Sequence, residues 1–209
     1  MTTSGTTTSR VAAASVPWWA RVSSLLAPVL LIGGWTLAAA LQPGGFDSVT
    51  RTISELAALD AHQRWVMTVG IGGTGVCHLV TAAGLRPAAR TGRVLLALGG
   101  AASVLVALFP LPAGGGTSSA HRVVAFLAFV LLTVWAPFSG VDRADAPWGL
   151  RRRVALVAGA VLGAVTLWFF VVVVSDGSDV GLAERCAAGA QAVWPAVVVA
   201  SVPRLRSRP

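Results

Sequence analysis

The sequence predicts an all-α, polytopic membrane protein folded as a bundle of six transmembrane helices. Of its 209 residues, 55% are hydrophobic and only 11% charged, against roughly 25% charged in an ordinary soluble domain. Six apolar runs recur along the chain, and helices of this length span a hydrocarbon core of about 30 Å. The arginines cluster in alternate connecting segments, as a chain that crosses a membrane repeatedly requires.

The N-terminal stretch MTTSGTTTS is polar and of low complexity, so a disordered cytoplasmic tail is expected over residues 1–21, with Pro17, Trp18 and Trp19 as an aromatic entry to the bilayer. The first span covers residues 22–41 and holds Pro28, Gly33 and Gly34. Ala38 and Ala40 imitate a signal-peptidase site, but the apolar run exceeds the roughly 7–15 residues of a signal-peptide core, which favours a retained helix. Further spans are expected at 65–85, 94–111, 123–140, 154–174 and 187–202, with a basic cytoplasmic tail at 203–209. A β-barrel would alternate polar and apolar residues over about ten positions, whereas these runs are apolar on every face. Pro137 and Pro195 fall inside the fourth and sixth spans, where each removes a helical hydrogen bond. Gly159 and Gly163 form a small-xxx-small pattern in the fifth span, expected to serve packing within the chain rather than dimerisation.

Twelve arginines lie in the two tails and the second and fourth connections, against four in the first, third and fifth. The positive-inside rule then places both termini on the cytoplasmic side of the membrane. The formal net charge of +8 comes with sixteen arginines and no lysine. They sit in short segments beside apolar runs, so anionic membrane lipids, not nucleic acid, are the expected partners, and a protein partner in the membrane is compatible with them. Cys77 and Cys186 fall at different depths and make no disulfide framework.

Polar chemistry gathers on the outer face. In the first connection, residues 42–64, Thr52 and Glu55 have capping-box spacing and predict a short interfacial helix, while Asp60 and Gln63 offer a start signal for the second span. The third connection supplies His121 and Arg122 after a Gly-rich stretch, and the fifth supplies Asp176, Asp179, Glu184 and Arg185. Asp47, Arg51, Ser54, Glu55, His121, Glu184 and Arg185 are therefore the candidate cluster, able to close the bundle by ion pairs or to bind a ligand.

Three segments carry a family resemblance: Ile53-Ser54-Glu55-Leu56; Phe109-Pro110 followed by His121, Ala125 and Phe126; and Gly181-Leu182-Ala183-Glu184-Arg185 followed by Trp194. In this order between the spans, the chain resembles the six-helix bacterial membrane family called domain of unknown function 998, over roughly residues 22–202. Arg51 stands where that family commonly has Asn, and Ala57 where Gly often follows the Leu. The resemblance implies fold and membrane location and brings no activity, substrate or cofactor.

No cofactor is expected. His62 and His121 lie near the outer surface, whereas His78 is about fourteen residues into the second span, roughly 20 Å deeper, so the three cannot share a metal. No G-x-S-x-G or H-E-x-x-H motif occurs. Ion transport is disfavoured because His78 is the only ionisable group expected in the central spans. The favoured reading is a non-enzymatic protein whose outer cluster closes the bundle and binds a lipid headgroup or partner. The alternatives are a membrane enzyme acting on lipid from the outer face, with Ser54 and Glu55 near His121, and a transporter of a hydrophobic solute.

Overall fold

A computed structural model describes residues 15–203. It contains six α-helices: α1 (Trp18–Ala40), α2 (Trp65–Gly84), α3 (Arg90–Leu108), α4 (Ser119–Phe138), α5 (Arg152–Val174) and α6 (Val180–Ser201). Two single 3-10 turns, Ser54–Ala57 and Trp148–Leu150, lie in the connections, and the described residues contain no strand. Helices α1 to α5 are long and apolar enough to cross a membrane by length and composition. Helix α6 has 22 residues, a comparable length, but carries Glu184 and Arg185 near its start.

Large apolar side chains line the outside of the bundle, among them Leu25, Val29, Val157, Val161 and Leu167. Water would not tolerate so continuous an apolar exterior, and lipid does. The chain is a helical membrane bundle.

Residues 1–14 and 204–209, which include most of both expected tails, lie outside the description. The expected disorder does not extend to residue 21, because α1 begins at Trp18. The Pro17 carbonyl accepts the Ala20 and Arg21 amides at 3.1 and 3.2 Å. Arg21 donates to the Val199 and Val202 carbonyls at 3.3 and 2.9 Å, binding the start of α1 to the end of α6. Helices α3, α4 and α5 also begin two to four residues before the expected apolar runs, at Arg90, Ser119 and Arg152. Polar first turns extend past the hydrocarbon, where hydropathy no longer reports them.

We call the end of the bundle that carries the α1–α2, α3–α4 and α5–α6 connections the upper end. A core of Ala20, Leu85, Leu96, Trp135, Leu150 and Val198 fills the lower end, and one of Ile53, Leu56, Met67, Ile71 and Val106 fills the upper. Helices α2 and α3 cross backbone to backbone at Gly75 and Gly100: a Cβ on Gly75 would stand 2.5 Å from the Gly100 carbonyl oxygen. Between membrane helices, such close approach provides dispersion contact where no hydrophobic force acts.

The Gly159 and Gly163 pattern divides. A Cβ on Gly159 would meet the Pro137 ring at 2.7 Å, whereas nothing lies within 4 Å of one on Gly163. Gly159 thus serves α4–α5 packing within the chain. Pro137 stands in the last turn of α4 and leaves no helix beyond it to kink. Gly159→Leu is expected to cost about 1–3 kcal/mol through overpacking, and Gly163→Ala to be neutral or to stabilise by up to about 1 kcal/mol through helix propensity. Thermal midpoints of the detergent-solubilised variants check both.

Candidate functional site

At the upper end, Pro43 is followed by Gly44 and Gly45 at φ +80° and +88°, which turn the chain back over the bundle. The Asp47 carboxylate then accepts the Val49 amide at 2.8 Å and the Thr50 amide at 3.4 Å. The Val49 amide, followed by the Thr50 hydroxyl, holds the Asp47 carboxyl below its ordinary value.

The capping box forms as expected. Glu55 Oε1 accepts the Thr52 amide at 2.8 Å and the Thr52 hydroxyl at 3.1 Å, while the Glu55 amide donates to Thr52 Oγ1 at 3.2 Å. The element it caps is the four-residue 3-10 turn Ser54–Ala57, shorter than the expected interfacial helix. Glu55 Oε2 also pairs with Arg51 Nε at 2.9 Å, and Arg51 lies 4.4 Å from the centroid of Phe46. This ion pair is exposed and adds little stability.

Asp60 and Gln63 do not start α2. Asp60 Oδ2 instead accepts the Gly114 amide at 2.8 Å, binding the first connection to the third, and Gln63 takes a left-handed conformation at φ 51°. The link across the bundle competes with a local cap and wins, leaving Arg64 at the N-cap with no side-chain hydrogen bond.

His121 stands in the first turn of α4, and Glu184 and Arg185 in the second turn of α6, not in loops. Glu184 is buried; one carboxylate oxygen accepts the Ile53 amide, and the other accepts the Ser54 hydroxyl at 3.3 Å. Arg185 Nη1 lies 2.9, 2.8 and 2.9 Å from the carbonyls of Ser48, Arg51 and Gly181. The Leu182 amide donates to the Val49 carbonyl at 3.0 Å. The start of α6 therefore holds the first connection by its backbone, which local hydropathy cannot reveal. His121 is buried and uses Nδ1 on the Phe109 carbonyl at 2.8 Å, joining the end of α3 to α4. Its own amide donates to Ser118 Oγ at 3.1 Å, the N-cap of α4.

The candidate cluster accordingly separates into two roles. Asp47 and Arg185 fasten the first connection and do not line the large upper pocket, whereas Arg51, Ser54, Glu55, His121 and Glu184 line it. This pocket, of about 1040 Å³, also reaches Arg122 and Asp176. One wall is aromatic: Phe126 stacks on Phe170 at 5.4 Å, and Phe129 lies 4.7 Å from Phe169, centroid to centroid. Sequence reasoning did not select these four phenylalanines. The i, i+3 spacing of Phe126 and Phe129 and the adjacent Phe169 and Phe170 were the available signal.

Below the pocket, a second cavity of about 70 Å³ penetrates the bundle, and Ser54, Glu184, Ala125 and Phe129 line both spaces. At its side Gln191 Nε2 reaches the Phe129 carbonyl and Thr133 Oγ1 at 2.9 Å and Thr166 Oγ1 at 3.1 Å, tying α4, α5 and α6 together. Among the described residues, no three His, Cys, Asp or Glu side chains converge as a metal site.

The family model described as Protein of unknown function (DUF998) matches residues 25–201. The chain belongs to the DUF998 family. No curated protein and no solved structure matches it. The DUF998 match runs from α1 to the last residue of α6 and so takes in every side chain lining the two cavities.

Proposed function

We propose that this DUF998 chain is a non-enzymatic, six-span integral protein of the bacterial plasma membrane whose upper, extracytoplasmic pocket binds an amphipathic lipid. The carrying observation is one pocket of about 1040 Å³ in which Arg51, Glu55, Arg122 and Asp176 meet the four-phenylalanine wall. An amphiphile needs both halves: charged groups for its headgroup and an apolar surface for the chain below it. Among the described residues, eight arginines at the lower end against four at the upper support cytoplasmic termini. The length of α6 supports a sixth crossing, its two charges being held by the first connection.

The test is native mass spectrometry of the detergent-purified chain with lipid analysis of what stays bound. A retained lipid is expected, reduced about tenfold in Arg122→Gln combined with Phe170→Ala and unchanged in Arg143→Gln, a residue of the α4–α5 connection. Clean apo-protein, or equal retention in every variant, would sink the proposal.

A second reading rests on the Ser54 hydroxyl donating to Glu184 at the pocket floor, an arrangement in which a carboxylate can activate a nucleophile. Conversion of the bound lipid to a cleaved product, abolished by Ser54→Ala, would favour that enzyme.

A further inference from the structure

His78 is fully buried in α2, and neither ring nitrogen has a hydrogen-bond partner among the described residues. One ring nitrogen of a neutral imidazole donates and the other accepts, so both call for a partner of complementary kind. The side chain borders the cavity of about 70 Å³ beneath the upper pocket, whose wall is otherwise largely apolar. On α2 this cavity runs from Ile71 through Thr74 to His78, and on α6 from Glu184 through Ala188 to Gln191. Both stretches cover two helical turns, roughly 10 Å. Ser54 and Glu184 stand at its upper mouth, where it meets the pocket open to the surface.

We propose that this cavity is a hydrated path that carries solvent, and with it protons, from the upper pocket to His78. Space and chemistry support the assignment together. A buried water needs on the order of 10–15 Å³ and two to four polar partners, so the cavity has room for a few. Glu184 and Ser54 supply partners at the mouth, and His78 supplies a donor and an acceptor at depth. Gln191 commits its amide nitrogen to Phe129, Thr133 and Thr166, which leaves its carbonyl oxygen as an acceptor with no protein donor among the described residues. His78 lies thirteen residues beyond Trp65, so the path reaches about 20 Å below the start of α2. Protons pass along such a file by relay, each water accepting one and releasing one, with no net change in the file.

The test is magic-angle-spinning NMR of the full chain, labelled with ¹⁵N-histidine and ¹³C-threonine and serine, in bilayers of phosphatidylethanolamine and phosphatidylglycerol. Polarisation is transferred from water protons to the protein, with His78→Gln used to assign the imidazole signal. Transfer to the His78 ring and to Thr74 is expected to build up within about twofold of the rate at Ser54. Ala188→Leu, which fills the middle of the cavity, is expected to slow the His78 signal at least fivefold while sparing Ser54. Wild-type transfer that stops at Ser54 would overturn the proposal without recourse to any variant. So would a folded Ala188→Leu chain whose His78 signal matches the wild type.

Discussion

A Gly181→Ala chain is expected to lose about 2–3 kcal/mol of stability, lowering its apparent thermal midpoint by on the order of 5–10 °C. The added Cβ would collide with the Arg51 carbonyl group and stand 2.8 Å from the Ser48 carbonyl oxygen. Both obstacles are backbone atoms that cannot rotate away, and both carbonyls accept from Arg185. Relief therefore requires the first connection to lift from α6, which breaks the Arg185 and Leu182 hydrogen bonds and moves Ile53 away from Glu184. Arg51, Ser54 and Glu55 line the upper pocket, so retention of the lipid should fall with stability. Gly33→Ala is the control, since nothing lies within 4 Å of a Cβ there. Equal midpoints for the two variants would show that α6 does not hold the first connection.

Glu184 separates architecture from recognition. In Glu184→Leu the buried Ile53 amide loses its acceptor and the Ser54 hydroxyl loses its partner. An unsatisfied buried donor costs about 1–3 kcal/mol, so a destabilisation of roughly 2–4 kcal/mol is expected for the pair. Glu184→Gln retains a carbonyl oxygen for Ile53 and presents an amide for which Ser54 can act as acceptor. Its stability should stay within about 1 kcal/mol of the wild type, while the ionisable carboxyl at the junction of the two cavities is replaced by an amide. Thermal midpoints and lipid retention, measured on the same preparations, should therefore diverge for Gln and fall together for Leu. A Gln variant as unstable as Leu would mean that the carboxylate's charge, not its hydrogen bonding, holds the loop.

Composition and hydropathy made the six helices legible because lipid imposes one rule along the whole chain: every backbone polar group must be satisfied within its own helix. The capping box of Thr52 and Glu55 was legible for a similar reason, since both partners lie within three residues. His121, Glu184 and Arg185 were recognised by type but placed in loops. The acceptors and donors that settle their positions lie 12, more than 130 and more than 130 residues away. Asp60 was misread because its local role as a helix start lost to the Gly114 amide, 54 residues distant.

The sequence by itself determined the all-helical class, the apolar segments, the charge asymmetry between the two ends and the residue types gathered at the upper one. Each follows from solvation of a local segment, a property that neighbours in the chain already share. Tertiary structure alone decided that Arg185 fastens a loop while Glu184 faces two cavities, that four phenylalanines from α4 and α5 form one wall, and that His78 and Glu184 line one continuous space. Those outcomes depend on which faces of separate helices meet, and helix faces meet according to small-residue contacts such as Gly75 with Gly100, whose pairing no single segment encodes.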